Sequence, residues 1–159
     1  MWHEQNREDA SSLKWGYPII RVASFSRLES TKLLAAFYMI DKERRVVMTT
    51  GSGTFTMSDA LRHQDNLLQD SDFDPSFSQI MDLTHVTRFD VEPDDIRKLA
   101  QRTIFSPESR RAIIVNTDLA YGYGRMFELH RENFGEMGVR VFRTLEEALD
   151  WVLSKDISA

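Results

Sequence analysis

The chain contains no cysteine. Disulfides, thiolate catalysis and cysteine-ligated zinc are therefore excluded outright. No stretch approaches the ~18–20 consecutive apolar residues that a membrane-spanning helix needs. The N-terminus lacks the basic-then-apolar pattern of a secretory signal. Positive charge is not in excess: 25 acidic residues stand against 20 basic ones, a formal net charge of -5. Phosphate backbones are held by a basic face, so nucleic acid is not expected as a main partner. A cytoplasmic protein without a membrane span is the default these absences leave.

What is present suffices for one domain with a real core: 159 residues, 42% of them apolar. Residues 1–34 are polar and mixed, with no sustained period, and read as a flexible or loosely docked extension. Met39 opens "MIDKERRVVMTTGSGTF", and a translation start there or nearby is a further expectation. From Leu33 the pattern becomes legible. "LLAAFYMI", the polar turn "DKER" and the β-branched "RVVMTT" predict a hairpin, although Leu33 to Ala36 could equally be helical. Thr56 and Asp59 cap a helix over "MSDALRHQDNLLQD", with Met57, Ala60, Leu61 and Leu67 or Leu68 on one face. "SQIMDL" is the third strand, and Pro93 opens a second helix lined by Ile96, Leu99, Ala100 and Ile104.

"RRAIIVN" predicts a short, apolar, buried parallel strand. "TDLAYGYGRMFELHRENFG" leads from a loop into a helix that stops at Gly135. "VRVF" is the last strand. Thr144 and Glu147 then form a capping box for "LEEALDWVL". The order β-β-α-β-α-β-α-β-α implies an α/β fold: a mixed, mostly parallel sheet flanked by helices, with an antiparallel hairpin at its start. The domain is expected over 35–155, followed by a tail at 156–159.

Four phrases in this order, "IDKERRVVMTTGSGTFT", "FDPSFSQIMDLTHVTRFDV", "AIIVNTDLAYGYGRMFEL" and "VRVFRTLEEALDWV", resemble the SpoIIAA-like group of the STAS superfamily over about Phe37 to Leu153. The resemblance implies a single STAS-like domain. STAS domains occur in anti-sigma-factor antagonists and at the cytoplasmic ends of sulphate transporters. In the antagonists a kinase phosphorylates a serine where the third strand's turn meets the second helix, and the added charge breaks a protein complex. Here that turn is "VTRFDVEPDD", with Asp90, Val91 and Glu92 and no hydroxyl. Thr87 lies before the turn. No phosphorylation site is expected.

Two places remain as candidates. The acids Asp90, Glu92, Asp94 and Asp95, with Asp82 and His85 close in sequence, are hard-oxygen ligands of the kind that hold Mg²⁺ or Ca²⁺. The glycine and distant glutamate of a calcium loop are missing, and first-turn acids stabilise a helix dipole, so the turn reads first as a cap. The second candidate is "AYGYGRMF", where a helix start with Arg125 nearby would suit an anion and Tyr121 and Tyr123 would flank an organic ligand. Glycines that serve a tight turn and tyrosines that cover the core edge are the plainer reading. "TTGSGTFT" lacks the lysine of a phosphate loop, and Gly51 and Gly53 predict a bend or bulge instead. None of the four histidines has metal spacing, and His63 and His130 are expected at exposed or boundary positions of their helices. No nucleophile elbow is present.

The resulting expectation is a non-catalytic STAS-like module that binds a protein partner or a small ligand, without metal or cofactor. Its surface would comprise Asp90, Glu92, Tyr121, Tyr123 and Arg125 at one edge of the sheet. A homodimer is left open. The alternative is a carrier of an apolar or lipid-like molecule, with a cavity lined by Met57, Phe73, Met126 or Phe127. A hydrolase is a second alternative.

Overall fold

A computed structural model describes residues 35–154. The expected extension at 1–34 and tail at 156–159 lie outside the described residues. Close packing divides the chain after Leu33, and every described residue belongs to the unit Leu34–Ala159.

Among the described residues, nine elements follow in the order the pattern predicts: β1 (Ala36–Asp41), β2 (Val46–Thr56), α1 (Met57–Gln69), β3 (Ser78–Asp90), α2 (Pro93–Ala100), β4 (Arg111–Ile114), α3 (Asp118–Asn133), β5 (Val139–Phe142) and α4 (Leu145–Leu153). The strands lie in sequence order, β1-β2-β3-β4-β5. β1 pairs antiparallel with β2, and the other three pairings are parallel. Met39 lies inside β1, opposite Met48. Among the described residues, regular structure is thus already present at Ala36, three residues before that methionine.

Strand order decides where the helices go. Parallel strands added one after another by right-handed crossovers put every connecting helix on the same face. α1, α2 and α3 accordingly share one face, and α4, which follows the last strand, packs on β3, β4 and β5. Side chains alternate between the faces. Gln79, Met81 and Leu83 on β3, with Arg111 and Ile113 on β4, look toward α1–α3, and register sets Gln79 beside Arg111. Ile80, Ala112 and Ile114 occupy the alternate positions and are buried.

β3 outruns its neighbour. It pairs with β4 only from Gln79 to Asp82, yet it stays paired with β2 as far as Asp90. The register shifts twice along this ribbon, between Thr50 and Ser52 and between Gly53 and Thr54. Gly53 has a φ of +66, a left-handed conformation natural to glycine. The bend expected at "GSG" is thus a real irregularity, and such irregularities bend a strand. Near the ribbon's end Phe55 and Phe89 stand opposite each other, with ring centroids 6.2 Å apart.

The helix starts obey local chemistry. The Thr56 and Asp59 side chains cap each other's backbone N–H at the start of α1. Asp95 accepts from the Glu92 N–H at 3.0 Å at the start of α2. Thr144 accepts from the Glu147 N–H at 3.3 Å at the start of α4. Loss of that hydroxyl leaves one end donor of α4 without its partner, so Thr144→Ala should lower stability by about 1 kcal/mol. A thermal melt would register it, and an unchanged midpoint would remove the cap from the account. No helix among the described residues is long and apolar enough to cross a membrane.

Candidate functional site

The face shared by α1–α3 is not fully packed. A cavity of about 110 Å³ lies between it and the sheet. Its floor is Met81, Leu83, Ile113 and Val115, and α1, α2 and α3 close it through Ala60, Leu99, Ala120 and Gly124. Five aromatic side chains, Phe55, Phe89, Phe105, Tyr123 and Phe127, form much of its wall. A Cβ on Gly124 would come within 2.9 Å of Val141 Cγ2, so the absent side chain is what lets α3 lie against β5.

One end of the cavity is polar, carrying His63, Gln64, Gln79 and Arg111. His63 is only 5% exposed, which corrects the expectation of an exposed or boundary position. The spacing Ala60, His63, Leu67 puts it on the buried stripe of α1. Leu68, offered as an alternative to Leu67, faces outward. That periodicity was the available signal, and a histidine's usual surface preference masked it.

The partners of His63 set its tautomer. The Gln79 Nε2 amide lies 3.1 Å from Thr49 Oγ1 and 3.2 Å from His63 Nε2. An amide nitrogen only donates, so His63 Nε2 accepts and the proton of the neutral ring sits on Nδ1. Burial pushes the imidazole down to about 4, which keeps it neutral at ordinary pH.

Arg111 closes the same end from the sheet. Its guanidinium lies over the rings of Phe105 and Phe127, 5.4 and 5.7 Å from their centroids. It donates to Glu136 Oε2 at 2.8 Å, and Arg131 Nε donates to the same oxygen at 2.8 Å. Arg131 Nη2 also pairs with Glu136 Oε1. The third guanidinium nitrogen of Arg131, Nη1, donates to the carbonyls of Ala100, the last residue of α2, and Arg102 just beyond it. Two guanidiniums thus share one buried carboxylate. Burial, with the charge of Arg131 beside it, pulls Arg111 down to about 9. The apolar strand expected at "RRAIIVN" therefore begins with a buried cation.

The five expected binding residues fall in different settings. Asp90 is exposed, 3.9 Å from Arg88. Glu92 is the N-cap of α2. Tyr121 lies under Arg143, whose guanidinium is 4.5 Å from the ring centroid. Tyr123 turns inward to line the cavity and meets Phe89 at 6.3 Å. Arg125 reaches along its own helix to Glu128, which raises its pKa further. The start of α3 is therefore brought to the end of β3 through Tyr123 and Phe89.

"AYGYGRMF" is helix rather than the loop that leads into one. Thr117 caps the Ala120 N–H at 3.2 Å, and α3 has begun by Asp118. The free N–H groups expected near Arg125 are consequently engaged within the helix or its cap. Among the acids of the turn, Asp94 pairs with Arg97 and Lys98, and Asp95 accepts from the N–H of the N-cap Glu92. Asp82 lies far back along β3 and accepts from Thr84. Of the lining expected for a carrier, Phe127 reaches the cavity. Met57 packs instead in the cluster around Phe55, and Phe73 packs against Phe105.

No protein-family model matches the chain, and no curated protein matches its sequence. Solved structures do resemble it. One is an uncharacterized protein of the DUF3478 family with a SpoIIAA-like fold, from Shewanella loihica. It has a TM-score of 0.50 and 20% identity, covering 78% of this chain and 98% of that one. Another is an anti-sigma factor antagonist from Mycobacterium paratuberculosis. It has a TM-score of 0.52 and 14% identity, covering 75% of this chain and 95% of that one. The fold is that of STAS-type domains. Within that class its arrangement is SpoIIAA-like.

Proposed function

We propose that this chain is a non-catalytic STAS-type module that holds a small, largely apolar molecule between its sheet and helices α1–α3. The cavity carries this reading. Protein interiors pack densely and retain few voids larger than a water molecule. A space of about 110 Å³ walled by five aromatic side chains departs from that rule. An apolar cavity of ~150 Å³ takes up benzene; this space, at about 110 Å³, is of the same order and sets a single small ring as the upper size of its occupant. Among the described residues, the lining includes a histidine but no carboxylate, serine or lysine. The hydroxyl nearest His63 is Thr49, which is buried and already accepts from Gln79. Such a site is furnished for holding a molecule, and this supports a binding role over hydrolysis. The same reading places the protein in the cytoplasm, on composition alone.

Protein docking is the second reading. It draws on the likeness in fold to an anti-sigma factor antagonist and on exposed Asp90 and Glu92 beside the inward-turned Tyr123. Native mass spectrometry of protein isolated from its own cells separates the two. A co-purifying small molecule, lost in the cavity-filling variant Ala60→Phe while the circular dichroism is kept, is the expected result. A bare mass for the wild-type chain would sink the ligand reading and leave docking.

A further inference from the structure

Among the described residues, three buried side-chain polar atoms have no partner within the protein: His63 Nδ1, Gln64 Oε1 and Glu128 Oε2. The first two belong to residues that line the same cavity, at adjacent positions on α1. Their chemistry is complementary. The Gln79 amide makes His63 Nε2 the acceptor, so Nδ1–H is a donor. Gln64 Oε1 is an acceptor. Two other polar groups at that end are engaged: the Gln79 amide nitrogen with Thr49 and His63, and Arg111 with Glu136. A buried donor and a buried acceptor left over on neighbouring lining residues are both satisfied by a ligand group that accepts and donates.

We infer that the cavity selects a single-ring or similarly compact molecule bearing a hydroxyl, whose oxygen accepts from His63 Nδ1–H and whose hydrogen is donated to Gln64 Oε1. The inference rests on the ligand-binding reading above and adds the polar group to it. Size comes from the cavity of about 110 Å³, and the aromatic wall offers ring-to-ring contact. A carboxylate fits less well. It has no hydrogen to donate to Gln64 Oε1 and would set acceptor against acceptor, and the guanidinium that could attract it already shares Glu136 with Arg131.

The test is a titration of the folded chain with phenol, toluene and benzoate, followed by two-dimensional amide NMR. Phenol is expected to bind about tenfold more tightly than toluene, and benzoate more weakly than phenol. His63→Leu should cost phenol about tenfold and leave toluene unchanged. Gln64→Leu, at a partly exposed position that tolerates change, should act in the same direction if the histidine variant fails to fold. Toluene binding as tightly as phenol would overturn the hydroxyl while keeping the cavity as a ligand site. Benzoate binding tightest would overturn it in favour of a carboxylate held by Arg111. Binding of none of the three would overturn the ligand reading itself.

Discussion

Glu136→Gln should destabilise the fold by about 3–5 kcal/mol, the usual cost of breaking a buried ion pair from one side. The cause is an arrangement of three side chains. Arg111 and Arg131 are both buried, Arg131 at 1% exposure, and both donate to Glu136. Removing the one negative charge leaves two desolvated cations facing each other. A glutamine can accept from one of them but presents its own N–H groups to the other. The carboxylate reaches this place through a turn. Gly135 adopts a φ of +84, and the Glu136 N–H returns to the Arg131 carbonyl at 3.1 Å. The chain thereby reverses at the end of α3 and sets Glu136 against a residue five positions back. Domains of this kind are stable by only about 5–15 kcal/mol in all, so the loss would be plain in a urea titration. Arg111→Met in the same background should recover part of it, because Arg131 keeps the carbonyls at the end of α2. A midpoint unmoved by Glu136→Gln would mean that the three charges are solvated and not locked together.

Acid should weaken the protein between pH 6.5 and about 4, with His63 responsible. An imidazole in the unfolded chain takes up its proton near 6.5, whereas burial in the fold lowers His63 to about 4. Between those values only the unfolded state gains the proton. Stability from keeping the ring neutral is thus complete above pH 6.5 and is lost as pH falls toward 4. Over the whole window the loss is roughly 3 kcal/mol, at about 1.4 kcal/mol per pH unit of separation. His63 packs edge-on against Tyr38, with centroids 5.5 Å apart, and bonds to Thr49 and Gln79. None of these carries a negative charge that would favour the imidazolium. Urea midpoints measured from pH 7.5 to 4.0 should show the slope in the wild type and lack it in His63→Leu. An identical slope in both would assign the acid sensitivity to other groups.

Much of the fold was legible because local rules and tertiary packing agree. Thr56 with Asp59, and Thr144 with Glu147, mark helix starts wherever they occur, and Gly135 marks an end. "AIIV" reads as a buried strand because both faces of a central parallel strand are covered. The start of α3 was misplaced because the glycines of "AYGYGRMF" suggest a turn, while Thr117 had already set the helix going. Gly124 is needed for contact with Val141, a strand away, and no local pattern shows that. The candidate site was less legible. Asp90, Glu92, Tyr121 and Arg125 stand out in sequence as charged or aromatic residues near a turn, but only Tyr123 of the five turns into the cavity.

By itself, then, the sequence determined the elements, their order and the kind of sheet. These follow from periodicity and capping, which act within a few residues. It also determined that disulfides and thiolate chemistry are absent. Tertiary structure alone decided that the register sets Gln79 beside Arg111, that Gln79 turns the Nδ1–H of His63 into a free donor, and that three helices on one face leave a space above the sheet. Each of these depends on contacts between residues distant in sequence, 16 positions apart for His63 and Gln79. Free energy at that range is set by which groups meet out of water, and sequence spacing carries no record of it.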